Sequence, residues 1–323
     1  MEQPRIVKPD EPTLADDQPK TTIKDLNPRH RDIFTRAVKN VLSSEIAQIT
    51  YAQIIDGLPL SSVEKDTVMP WNSRESSTAL AASQRSKAFQ TRLVELVAIA
   101  THQIAVQLFK LDIGLHKDDG IASWEPPKDN TMFWRRNPNG PPPTVFRHKF
   151  YRDYDQYPEG VADGVGYWAE ARILGGVVLF DRREVGFNPT LGPSFDLDAI
   201  YFHPDRQNVT YRIFQLLDSQ KKQLLNYLLS EDKLSESCPL PILGGDDNCG
   251  RVDIEENITD TGIYRDIWER KPPPLDQYDP RMRDVWTYFD HTSRDDWDAS
   301  HGRAYDKKEQ MYRHDDEEDL DRE

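Results

Sequence analysis

Cysteine is almost missing from this chain, with only Cys238 and Cys249 among 323 residues. That excludes a disulfide framework and leaves at most one loop bridge between the two thiols. A secretory leader is also lacking, because the opening stretch MEQPRIVKPDEPTLADDQPK has no apolar core. Both thiols are therefore expected to be reduced in an intracellular protein, cytoplasmic rather than nuclear, and the sequons at Asn208 and Asn257 are expected to be unused. Long apolar runs are absent as well. In the best candidate, Leu93–Leu111, the longest uncharged run, Leu96–Phe109, includes His102, Gln103 and Gln107 and falls short of the roughly 20 apolar residues that cross a bilayer. It reads as a buried helix, and no membrane contact is expected.

An excess of positive charge is the next absence. The net charge of −15 repels phosphate backbones, so nucleic acid is not an expected partner. The imbalance is local: residues 253–323 hold 22 acidic and 11 basic side chains, most of the whole-chain excess. Hydrophobic residues make up 37% and charged residues 30%, against about 45–50% (a count that includes glycine) and about 25% in ordinary domains, so part of the chain is expected to stay unfolded. No internal repeat recurs at a period of about 20–50 residues.

What is present divides into three parts: a disordered arm over 1–22, a single folded domain over 23–245, and an acidic, largely extended tail over 246–323. Helical spacing of Ile33, Ala37, Val41, Ile46 and Ile49 predicts a helix over Arg29–Ile55, with Gly57 and Pro59 as its stop. Ser61-x-x-Glu64 has the form of a capping box. The clearest helix is Ser86–Ile113, where Phe89, Leu93, Val97, Ala100, Ile104, Leu108 and Leu111 recur at steps of three and four. That stripe fits a core helix, and its spacing also allows homodimerisation through a coiled coil. Prolines between 126 and 143 predict loop. Thr144–Tyr151, Tyr167–Ile173, Val177–Phe180 and Ala199–His203 read as strands, with Gly175-Gly176 at hairpin spacing. Asn208–Leu229 reads as an amphipathic helix covering that sheet. The fold class is thus α+β: a helical N-terminal part packed on a small, mostly antiparallel sheet, capped by a helix, with disordered ends.

Chemistry is sparse. Gly160-x-x-x-Gly164-x-Gly166 lacks the preceding apolar strand and the Gly-Lys-Ser/Thr of a phosphate loop, so it reads as turn or close backbone packing. His203-Pro204-Asp205 ends a strand, which makes His203 a candidate general base oriented by Asp205 or by Asp181 from a neighbouring strand. Arg182 and Arg206 are candidate ligand-binding cations beside it. Asp153, Asp155, Glu159 and Asp163 near His148 form an acidic loop cluster, but their spacing matches no Mg²⁺ or Ca²⁺ motif. His291, His301 and His314 lack zinc spacing. No metal or cofactor is expected. The tail's aromatics, among them Trp268, Trp286, Tyr288 and Trp297, are poor company for permanent disorder, so they either clamp the tail to the body or order on a partner. Arg270-Lys271 followed by Pro272–Pro274 reads as a stiff spacer or, alternatively, a polyproline recognition segment.

Together, YPEGVADGVGYWAEARILGGVVLFDR, the later IYFHP and LLDSQKKQLLNYLL resemble a group of proteins from filamentous fungi with no assigned activity, over roughly residues 145–230. The resemblance implies a fungal intracellular origin and no chemistry. The leading expectation is a non-catalytic interaction protein whose acidic tail contacts a protein partner. The alternative is an enzyme or small-ligand protein with a pocket beside the sheet near His203.

Overall fold

The computed structural model describes residues 26–57, 87–112, 127–131, 134, 140, 142–183, 195–205, 210–231, 238–254, 256–271, 291 and 293–320, with side chains described up to 306 and at 309. The expected arm over 1–22, the capping box at Ser61, Arg206, Trp286 and Tyr288 lie outside them. Among the described residues are seven α-helices, α1 Pro28–Leu42, α2 Glu45–Asp56, α3 Lys87–Lys110, α4 Val161–Leu174, α5 Asp218–Leu229, α6 Ile258–Thr261 and α7 Arg294–Leu320. Five strands, β1 Val177–Asp181, β2 Ile200–His203, β3 Ile213–Gln215, β4 Arg251–Val252 and β5 Ile263–Tyr264, form one antiparallel sheet in the order β4-β3-β2-β1-β5. The class is α+β, with helices outweighing a small sheet.

Local chemistry explains the first helices. Asn27 caps α1 by accepting from the Arg29 amide with Pro28 at the first turn, and Ser44 caps α2 by accepting from the Ala47 amide. The single helix expected over Arg29–Ile55 is therefore two, broken at Ser43-Ser44. Gly57 ends α2 at φ 81°, as the stop signal predicts. Helix α3 is long and apolar enough to cross a membrane by composition, but it packs against α1, α2 and α4 and buries ten side chains, including Glu95, Thr101 and His102.

The largest correction concerns α4. Residues Tyr167–Ile173, which read as a strand, belong to a helix in which every side chain from Ala162 to Leu174 is buried. A helix covered on all sides carries no polar stripe, so the 3.6-residue period is invisible and its aromatic and β-branched residues imitate a strand. Gly175-Gly176 is accordingly not a hairpin. Gly175 is the left-handed C-cap of α4, its amide donating to the Ala171 carbonyl at 3.0 Å, and Gly176 lies against the backbone of His203 as the chain enters β1. The helix expected over Asn208–Leu229 begins only at Asp218. Its N-terminal third, Ile213-Phe214-Gln215, is strand β3, where aromatic and branched side chains suit the pleated surface. Thr144–Tyr151 forms no strand.

Alternation along β1 sends Val178 and Phe180 to the helical side and Val177 and Leu179 to the other. The helical side holds the larger apolar cluster, with Trp168, Ile173, Phe202, Phe214 and Leu224. The second cluster is covered by Phe150 and Tyr151 from the loop before α4 and by Val252, Ile254 and Ile263 from the C-terminal region. Both faces of the sheet are thus dry.

Replacing Gly175 with alanine tests the C-cap. A Cβ there would stand 2.0 Å from the Ile242 carbonyl oxygen at φ 112°, so Gly175→Ala is expected to lose about 1–3 kcal/mol in urea denaturation. Gly302→Ala, whose Cβ meets nothing within 4 Å on α7, is expected to shift stability by less than about 1 kcal/mol, towards greater stability.

Candidate functional site

Asp163, Gly166 and Glu170 recur at steps of three and four on α4 and so share one face, opposite His102 of α3. The His102 imidazole stands between the two carboxylates, Nε2 3.4 Å from Asp163 Oδ1 and Nδ1 3.7 Å from Glu170 Oε2. Gly166 makes room for it, since a Cβ at that position would lie 2.6 Å from the ring. Glu170 Oε1 accepts from the Val178 amide at 2.7 Å and from Arg265 Nη1 at 2.8 Å. The Arg265 guanidinium also lies 5.1 Å over the Tyr167 ring. Its own amide donates to Glu269 Oε2 at 2.9 Å, and Arg270 Nε approaches the other Glu269 oxygen at 3.4 Å.

Charge in so dry a place must be compensated. Burial alone would raise the Glu170 carboxyl, but the Arg265 guanidinium, with His102 and the Val178 amide, holds it below the ordinary range. Glu269 goes the other way: burial raises it, and Arg270 and its backbone donors only partly offset that. Glu170 is thus the ionised partner of Arg265.

A second polar group sits where β2 ends. His203 is buried, its Nδ1 3.2 Å from the Tyr151 hydroxyl and its ring stacked on Phe150 at 4.8 Å. His148 Nε2 lies 3.3 Å from the His203 carbonyl, and the Phe150 amide donates to His148 Nδ1 at 3.3 Å. With one nitrogen accepting, the ring is neutral, and burial pushes its pKa down to about 4.

Asp181, nominated from the sequence as a partner of His203, does not reach it. Val177 pairs with His203 and Phe180 with Ile200, so Asp181 lies at the opposite end of the β1/β2 ladder, roughly 13 Å away at about 3.3 Å per residue. Asp181 instead accepts from Arg183 through both carboxylate oxygens and from the Asp196 amide at 3.0 Å. Asp205 Oδ1 takes the Lys149 amide at 3.3 Å. Arg182 donates to Glu95 and to the Arg265 carbonyl. The acidic loop residues are also dispersed: Asp155 meets Lys271 Nζ at 2.7 Å, which lowers its pKa, Glu159 meets Lys110, and Asp153 accepts from the Lys271 amide at 2.9 Å. Among the described residues no group of three or more histidines, cysteines and carboxylates is placed to hold a metal ion. Trp268 is half-buried with its carbonyl bonded to Gln156, and Trp297 is half-buried with its ring 5.1 Å from that of His301.

A third cluster, also not foreseen, joins α7 to the body. Arg212, ahead of β3, lies with Nε 2.7 Å from Asp253 Oδ1 and donates through Nη1 and Nη2 to Asp296 at 2.8 and 3.2 Å. Ser300 donates to Asp253 at 3.0 Å, Arg303 pairs with Asp253, and His291 Nδ1 lies 3.5 Å from Asp296. Glu170, His102, Arg265 and Arg212 come from four separate stretches of sequence and share no motif spacing. The usable signal was a lone carboxylate in YWAEARIL and a lone histidine in an apolar helix, since a buried charge demands a distant partner.

No family model, curated protein or solved structure matches the chain.

Removing Arg265 would leave Glu170 charged and unpaired, so Arg265→Met is expected to cost about 3–5 kcal/mol, and Arg265→Met with Glu170→Leu to recover a large part of it, in a double-mutant cycle by urea denaturation. His148 predicts a pH dependence. Below about 6.5 the unfolded chain takes up a proton that folded His148 refuses, so stability is full above that pH and falls as pH drops towards 4, by roughly 3 kcal/mol. Chemical denaturation of His148→Gln over this window is expected to lack that loss.

Proposed function

We propose that the chain is a non-catalytic intracellular interaction protein that contacts a protein partner of basic surface through the acidic far end of α7. The observation that carries this reading is the asymmetry of that helix. Its first three turns are tied to the body by Asp296, Ser300 and Arg303, whereas the helix runs on to Leu320 and the sequence over 306–323 carries 9 acidic and 4 basic residues. A firmly based arm of net negative charge favours fast, oriented encounter with an oppositely charged surface. Trp297 stands at its base, and Trp286 and Tyr288 precede it in sequence. Cys238 and Cys249 are free and exposed, which suits a reducing compartment. Of the groups nominated near the sheet, His203, Asp205, Asp181 and Arg182 are engaged in holding the fold, which supports a role outside catalysis.

The structure says where to cut. A deletion from residue 253 would remove β5 and Arg265 and would confuse unfolding with loss of a contact. A chain ending at Tyr305 keeps every anchor named above. It is expected to retain the full chain's urea midpoint and to lose the partners that the full chain captures at about 0.1 M salt; an unchanged set of partners would remove the arm from the account.

A further inference from the structure

Among the described residues, the contacts holding α7 differ in kind from those holding the other long helices. Helices α1 to α5 all place residues in the main apolar cluster, whereas none of the α7 side chains described, 294–306 and 309, belongs to either cluster. Its described attachments are polar. Asp296 spans both terminal nitrogens of Arg212, Arg303 pairs with Asp253 and reaches Glu256 at 3.4 Å, and Ser300, 1% exposed, donates to Asp253. Two ion pairs of opposite sense therefore cross the same seam: the helix gives an acid to a basic body residue and a base to an acidic one. His291 Nδ1 lies 3.5 Å from Asp296 at the seam, and Arg294 and Asp298 pair with each other on the exposed side of the helix.

Such a seam is strong while complete and fails abruptly. A buried guanidinium or carboxylate that loses its partner is far costlier than an exposed one, so loosening any one contact weakens the rest. An apolar seam would instead make the helix unfold with the core. From this difference we propose that α7 is a polar-latched strap, which opens as a unit while the helical core and sheet stay folded. Opening would uncover Arg212 and Asp253 and free the base of the helix to reorient. This goes beyond the interaction reading and does not depend on it, because it concerns the attachment of the arm and not what the arm binds.

The electrostatics agree with the geometry. Burial would raise both carboxyls, but Arg212 with Arg303 at Asp253, and His291 with Arg212 at Asp296, hold both below the ordinary range. Their contribution is thus present above about pH 4 and lost as pH falls, and the groups facing the seam are Arg212, Asp253, Glu256, His291, Asp296, Ser300 and Arg303.

Hydrogen exchange read by mass spectrometry on the full chain tests the proposal at neutral pH. Arg303→Glu sets a like charge against Asp253 from the strap side, and Asp296→Asn weakens the pair with Arg212 without changing shape. Both alter only the helix, so the body has no reason to misfold. Amides of 297–305 are expected to exchange roughly 10- to 100-fold faster in Arg303→Glu, where a part-buried ion pair gives way to like charges, and to a smaller degree in Asp296→Asn. Those of β1 and α4 are expected to be unchanged. Loss of protection in β1 and α4 together with α7 would overturn the proposal, because the helix would then open only with the core. Unchanged protection of 297–305 in both variants would overturn it equally, because the ion pairs would not be the latch.

Discussion

One carboxylate ties together parts of the chain that are far apart in sequence. Glu170 belongs to α4, accepts from the Val178 amide of β1, faces His102 of α3 and is neutralised by Arg265 from the segment after β5. The last two partners are distant in sequence. An ionised group with no exposed surface cannot persist without the guanidinium, and the guanidinium is delivered only when the C-terminal segment is in place. The fold is therefore conditional on residues about a hundred positions away from the helix they stabilise.

The same logic explains why the sheet is covered on both faces. Strands β4 and β5 lie at its two edges, and Val252 and Ile263 within them, with Ile254 just after β4, help close the second apolar cluster. Arg212 then links the β3 side to α7, much as Arg265 links β5 to α4. Apolar burial supplies most of the favourable energy and arginine–carboxylate pairs set which segments meet, since an unpaired buried charge penalises any other arrangement.

Much of this architecture could be read from the sequence, and the parts that could not have separate physical causes. Helix α3 was legible because Phe89, Leu93 and Val97 mark a continuous stripe, and Gly57 announced the end of α2 by its freedom to adopt positive φ. The fold class followed from apolar runs separated by turn residues. Helix α4 reads as a strand because a helix buried on every side has no solvent-facing polar stripe to reveal its period. Ile213–Gln215 was absorbed into the following helix because a three-residue strand next to an amphipathic pattern borrows that pattern's period. The candidate site was least legible. His203 and Asp181 were paired on the idea that neighbouring strands bring their ends together, but the antiparallel register sets them at opposite ends. His102, Asp163, Glu170 and Arg265 meet through the packing of three separate segments, and no spacing in one sequence records that.

The central claim is that the segment carrying Arg265 completes the core rather than decorating it. Urea denaturation of a chain ending at Gly250, set beside the full chain, tests it most directly. The account predicts that the shortened chain shows no cooperative transition, because Glu170 is left buried without its guanidinium and the second apolar cluster is open. A transition with the midpoint and steepness of the full chain would contradict it.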